Sequence, residues 1–211
     1  MRTKDSTATR TKLLDAARDV IRTKGYTATT VDDICSAAGV TKGSFFHHFA
    51  SKEQLGIAAI EQFGVMAAAI FGSAPYTALP DPLDRLLGYV DFRAAMLDGE
   101  IAQYTCLLGT SVQEVYATHP EIRAAADRGM SEHVAELVRD IEAAKQMYVP
   151  DAPWSAESVG YFMQSVLQGA FIFAKAKQSP EVALQSLEHL RRYLEILFTQ
   201  PRNINPKEKR P

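Results

Sequence analysis

The chain has 211 residues, with 23 Lys and Arg against 25 Asp and Glu for a formal charge of −2. That length predicts one or two domains with a core large enough to fold without covalent staples. A composition 46% hydrophobic and 23% charged excludes wholesale disorder, and two cysteines outside any C-x-x-C or zinc spacing exclude a disulfide scaffold and point to a reducing compartment.

No apolar run follows the first residues, so no secretory signal is expected. A helix over 8–24 is predicted from Leu13, Leu14, Ala17, Val20 and Ile21 at helical spacing, stopped by Gly25. Thr30 then reads as an N-cap, with Asp32 and Asp33 in the first turn of a short helix that Gly39 ends after Ala38. A second short helix spans 41–48. Ser51-Lys52-Glu53-Gln54 has the form of a capping box and opens a helix to about 71. The longest apolar-rich stretch, 64–74, is shorter than the roughly 18–20 residues of a spanning helix, so no membrane contact is expected.

Pro75, Pro80 and Pro82 mark 72–82 as a linker. Helices follow at 83–98, 101–116 and 120–147, and after Pro150 and Pro153 at 155–178 and 180–199. The segment 200–211, with three prolines and four basic residues, is expected to be a disordered tail. Strict alternation is missing throughout. The predicted fold is all-α with about nine helices: a first domain over 1–53 with a connecting helix at 51–71, then a second over 72–199.

Charge is distributed unevenly along this plan. Residues 1–53 hold nine basic against six acidic residues, +3, leaving fourteen against nineteen, −5, for the remainder. A basic end on an acidic chain suggests an anionic partner for that end alone. The order of residues sharpens this. Two short helices joined at Gly39 have helix-turn-helix form, with Ile34, Ala37, Ala38, Phe45 and Phe49 as the inner face and Val40 plugging the angle. The outer face presents Thr41, Lys42, Ser44, His47 and His48, a set suited to a helix lying in a major groove about 12 Å wide. Gly43 permits close approach of a sugar–phosphate backbone. Thr30 and Lys52 stand at helix starts, where a phosphate is favoured.

The run over 30–55 closely resembles the DNA-binding motif of the TetR/AcrR family of bacterial transcriptional regulators. The match is carried by Ile34, Ala38, Gly39, Val40, Thr41, Gly43, Phe45, His48, Phe49, Lys52 and Leu55. Phe46 departs from it, standing where the family usually has a tyrosine whose hydroxyl reaches a phosphate. One backbone contact should therefore be weaker, with Phe46 packing on sugar instead. His47 is a candidate base reader. Arg2, Lys4 and Arg10 could form a minor-groove arm or stay solvated.

The resemblance implies a three-helix helix-turn-helix domain followed by a helical ligand-binding and dimerisation domain. It implies double-stranded operator DNA as partner, a homodimer through the last two helices, a small-molecule effector and a cytoplasmic location, with no cofactor. The last two helices could supply a two-fold interface. Val159, Phe162, Met163, Val166, Leu167, Ala170, Phe171 and Ala174 keep helical spacing, and Ala183, Leu187, Leu190, Leu194 and Leu197 form a second stripe. Ile172, Phe173, Ile196 and Phe198 lie opposite them.

Tyr104, Phe92, Met96, Phe162 and Phe171 are candidates for an effector pocket, though such residues also build ordinary cores. Cys106, early in a predicted helix, and Lys175, in an apolar segment, are candidate parts of a sensor for electrophiles or oxidants. The alternative is a buried cysteine packing as a small hydrophobe and a lysine reaching solvent. No hydrolase, zinc-protease, P-loop or dinucleotide fingerprint occurs, and no metal set is formed, so an enzyme is not expected. The reading is a regulator, most simply a repressor released by a small molecule or electrophile. The rival is a helical sensing protein that activates or has lost sequence-specific DNA binding.

Overall fold

The structure, a computed structural model, describes residues 2–199, with side chains from residue 6 onward. The tail at 200–211 and the Arg2 and Lys4 side chains considered for a minor-groove arm lie outside the described residues. Among the described residues there are ten α-helices: α1 (Arg2–Lys24), α2 (Val31–Ala38), α3 (Lys42–His48), α4 (Lys52–Gly72), α5 (Pro82–Ala95), α6 (Ile101–Tyr104), α7 (Leu107–Val115), α8 (Pro120–Tyr148), α9 (Ala156–Lys177) and α10 (Glu181–Thr199). A 3-10 turn, Pro75–Ala78, occupies the proline-rich stretch between α4 and α5.

Three departures from the sequence expectations have local causes. The backbone of α1 is helical from Arg2, because neither proline nor glycine precedes Gly25. The helix expected over 101–116 is two helices. Thr105, at ψ 156, is extended and ends α6. Cys106 is extended too, and its sulfur accepts the Gly109 N–H at 3.4 Å, capping α7. Third, α4 is by length and composition apolar enough to cross a bilayer, unlike the shorter 64–74 run on which the sequence expectation rested. Its apolar character begins as early as Leu55, Gly56, Ala59 and Ile60, which face a protein core.

The described chain forms two compact units. The first comprises α1–α4, α6, α7 and α8 up to His133. Leu13, Ala17 and Ile21 of α1 pack there with Ile34 of α2, Phe45 of α3, Leu55 and Ile60 of α4, Leu107 and Leu108 of α7 and Ile122 of α8. Burying each of these larger side chains contributes about 2 kcal/mol. Cys35 lies in the same core, while Ala37, expected to face inward, is exposed.

The second unit comprises the 3-10 turn, α5, the rest of α8, α9 and α10. α10 packs on both α5 and α9. Leu86, Tyr89 and Val90 of α5 and Met163 and Leu167 of α9 are buried, as are Leu187, Leu190 and Leu194 of α10. Arg85 ties α5 to Asp140 of α8 at 2.7 Å, and Gln164 donates to the Tyr89 hydroxyl at 3.0 Å. The last two helices also carry large exposed apolar side chains, including Tyr161, Phe162, Ile172, Phe173, Tyr193 and Ile196. Phe198, expected on that outer side, is instead buried against Trp154, with ring centroids 5.4 Å apart.

Candidate nucleic-acid interface

The α2–α3 corner is assembled by short-range chemistry. Thr30 accepts the Asp33 N–H at 3.1 Å, and the Asp33 carboxylate accepts the Thr30 N–H at 2.8 Å. This reciprocal cap answers two of the orphan donors at the start of α2. Lys24, from the last turn of α1, closes on the same carboxylate at 2.5 Å. Hydrogen bonds from Lys24 and Thr30 hold that carboxyl well below the usual range.

Gly39 ends α2 at φ 65, a conformation that costs an L side chain about 1 kcal/mol or more. The Val40 N–H then bonds the Cys35 carbonyl at 3.0 Å, and Thr41 caps α3 by accepting the Ser44 N–H at 3.2 Å. Phe45 and Phe49 are buried, which fixes the roll of α3 and turns the opposite side outward.

That outer side carries the residues expected from the sequence. Thr41, Lys42, Gly43, Phe46 and His47 are exposed, and Ser44 and His48 are half-buried. A side chain at Gly43 would meet nothing nearer than the Thr41 hydroxyl at 3.8 Å, so the backbone there is open to a close neighbour. Phe46 is 56% exposed, an apolar ring held edge-on to Phe45. The His47 and His48 rings stand 5.0 Å apart. Burial lowers the His48 pKa, and neighbouring His47 and Arg10 push the same way. Arg10 lies over the Phe49 ring at 5.2 Å.

Two of the cations expected to contact DNA have internal partners. Lys42 pairs with Asp32 at 2.8 Å, which raises its pKa. The Lys52 ammonium donates to the Tyr26 carbonyl at 3.0 Å and the Thr29 carbonyl at 2.9 Å, and lies 4.3 Å from the Tyr26 ring centroid. Burial lowers its pKa. Two of its three donors thus hold the α1–α2 loop, leaving one for an outside acceptor. Tyr26 and Thr29 were not singled out by sequence reasoning. Nor was Glu114, whose carboxylate accepts the Thr27 N–H at 3.0 Å from far along the chain.

The seven effector candidates are divided between the units. Tyr104 and Cys106 belong to the first, and Phe92, Met96, Phe162, Phe171 and Lys175 to the second. Within the second unit, Phe171 is buried under the Arg93 guanidinium at 5.4 Å, whereas Phe162 lies exposed beside Tyr193 at 4.7 Å. No group of three His, Cys, Asp or Glu able to hold a metal occurs among the described residues.

Comparison with known proteins agrees with this geometry. The family of bacterial regulatory proteins, tetR family, matches residues 13–59, and the tetracyclin repressor-like C-terminal domain matches residues 82–190. The transcriptional regulator AcuR of Cereibacter sphaeroides is 29% identical over 84% of this chain and 81% of that protein. The HTH-type transcriptional repressor DhaR of a Mycobacterium species is 26% identical over 94% of this chain and 97% of its own length. The crystal structure of the reduced form of E. coli NemR superposes with a TM-score of 0.77 at 23% identity, covering 92% of this chain and 99% of that one.

Proposed function

From the premise that the chain belongs to the TetR family of DNA-binding transcriptional regulators, we propose that it is a repressor that reads its operator with α3 as a homodimer and leaves it when an effector binds. The observation that carries this reading is the α3 face. Buried Phe45 and Phe49 lock one side, while Thr41, Lys42, Gly43, Ser44, Phe46, His47 and His48 are presented on the other. Thr41, Ser44 and the two imidazoles supply donors and acceptors for base edges and phosphates, and Lys42 supplies a cation. Thr30 and the remaining donor of Lys52 flank the helix as backbone contacts. The DNA-binding domain is assigned to 1–53 with α4 connecting it to the region over 72–199, and the site of action is the cytoplasm.

A single recognition helix buries too little surface for a specific affinity, so two must act together. The exposed apolar faces of α9 and α10 support a two-fold pairing of these helices. The names of DhaR and NemR, both described as repressors, support repression over activation. For release, the candidate residues are Tyr104 and Cys106 in the first unit and Phe92, Met96, Phe162, Phe171 and Lys175 in the second, with Cys106 and Lys175 each a candidate for response to electrophiles. Cys106 is half-buried and sits at the N-terminus of α7. An effector that changes the separation of the two reading helices breaks simultaneous engagement and lowers affinity without altering any base contact.

Selection of bound fragments from the source genome at low ionic strength tests the reading, followed by measuring transcription of the flanking genes after deletion. Specific fragments and raised transcription are expected. Retention of no duplex overturns DNA reading, and lowered transcription overturns repression. Thiol labelling of the native protein, with Cys106→Ala as control, tests the release element. Labelling no faster than that of a buried thiol, with effector release unchanged in Cys106→Ala, removes it.

A further inference from the structure

The loop joining α1 to α2, residues 25–29, is held from far along the chain. Glu114, in the last turn of α7, accepts the Thr27 N–H at 3.0 Å through one carboxylate oxygen, across 87 residues of sequence. Its other oxygen fills the space that a side chain at Gly25 would need. His119, between α7 and α8, meets the Tyr26 ring edge-on with centroids 5.2 Å apart. Tyr26 and Thr29 are buried, and all of these residues belong to the first unit.

The loop in turn carries groups that face DNA on the reading proposed above. Its Tyr26 and Thr29 carbonyls bind two donors of Lys52, at 3.0 and 2.9 Å, and Thr30, the N-cap of α2, follows it directly. Burial lowers the Lys52 pKa and the Glu114 charge opposes that, so carboxylate and ammonium act on each other electrostatically. Glu114 itself is exposed, where such a contact adds little to stability. By charge alone, an anion beside a phosphate-binding cation weakens DNA binding. Neither stability nor charge accounts for its placement.

We propose that Glu114 is a positioning residue for operator binding. By holding the Thr27 N–H it fixes the 25–29 loop, and with it Thr30 and the remaining donor of Lys52, where they meet the phosphate backbone. Without the carboxylate, water answers the Thr27 N–H and the loop gains freedom that binding must remove. The inference rests on the operator reading and adds to it a residue from outside the α1–α4 segment.

The test is anisotropy titration of the full chain against a duplex fragment that it selects, over a range of salt. Glu114→Ala should bind about tenfold more weakly than the parent, the scale of one hydrogen bond to a charged group. Its salt slope should fall by about 0.9 per subunit for the phosphate lost, with the melting temperature near that of the parent. Glu114→Gln removes the charge but keeps an oxygen to accept the Thr27 N–H, and should recover binding to within about threefold of the parent. A residue acting through charge alone would instead make both variants bind more tightly. In a Lys52→Met background, Glu114→Ala should cost only about threefold, because part of its effect is already gone. Should Glu114→Ala fail to fold, Glu114→Met, which keeps the stem and removes the acceptor, carries the test with the same expected loss. Undiminished affinity in Glu114→Ala, equal effects of Ala and Gln, a loss that only follows a fall in melting temperature, or the full tenfold loss in the Lys52→Met background would overturn the proposal and leave the operator reading intact. A parent that retains no duplex would overturn both.

Discussion

At the scale of single residues, Lys52 illustrates how a side chain of expected external use is recruited inward. Its ammonium is bound by the Tyr26 and Thr29 carbonyls, and the long stem brings it over the Tyr26 ring. Lys52→Met should therefore destabilise the fold by about 2 kcal/mol, the scale of hydrogen bonds to a charged group, as measured by urea denaturation. A purely external phosphate ligand would lower DNA affinity and leave the denaturation midpoint unchanged. His48 offers a prediction of opposite signs. Its pKa lies below 6.5 because burial, His47 and Arg10 disfavour the imidazolium. The neutral form thus favours the folded state. Its stability contribution is full above the unfolded value and is lost as pH falls through the folded value. On the proposed reading, a bound phosphate would reverse the local field and raise the pKa, so binding would take up a proton. Operator affinity should rise from about pH 8 to about pH 6, the free protein should lose stability only below about pH 6.5, and His48→Gln should flatten both trends. Anisotropy titrations and thermal melts across that range measure the two effects separately.

At the scale of elements, the recognition corner was legible because its determinants are local. Thr30 with Asp33, Gly39, and Thr41 with Ser44 each act within a few residues, so their spacing announced α2, the turn and α3. Gly39→Ala tests this directly. No atom lies within 4 Å of the added Cβ, so the cost is backbone strain alone, about 1 kcal/mol in a denaturation experiment. A larger loss would mean that packing, not φ, holds the turn. Phe46 sits on the same exposed face, and Phe46→Tyr adds a hydroxyl with room to reach a phosphate. Operator affinity should improve about fivefold with little change in stability. The α6–α7 break was not legible, because Ile101 to Val115 keeps an apolar pattern throughout and contains neither proline nor a mid-run charge. The interruption at Thr105 and Cys106 lies in their extended backbones and in the Cys106 sulfur accepting the Gly109 N–H, a cap that these residue types do not announce. Arg22 likewise read as one more basic residue, although it is buried beside the Phe63 ring of α4.

At the scale of the whole molecule, the proposed function requires two recognition corners acting on one duplex. The exposed apolar side chains on α9 and α10, with Phe173 at 56% and Ile196 at 57% exposure, have the character of an interface core. Replacing both by glutamate places charges on that face without disturbing the buried stripe of Leu187, Leu190 and Leu194. The doubly substituted chain should sediment as a monomer with unchanged helical content. Its behaviour on DNA follows from counting phosphates. Each phosphate neutralised by a Lys or Arg contributes about 0.9 to the slope of log affinity against log salt. A monomer engages half the phosphates of a dimer, so its slope should be about half that of the parent. Specific affinity should fall by more than the slope alone accounts for, since the second reading helix no longer acts at high effective concentration. A dimeric double variant would move the interface elsewhere on the surface. A monomer that keeps the full salt slope and the full affinity would show that one corner suffices, and the two-fold reading of the operator would fail with it.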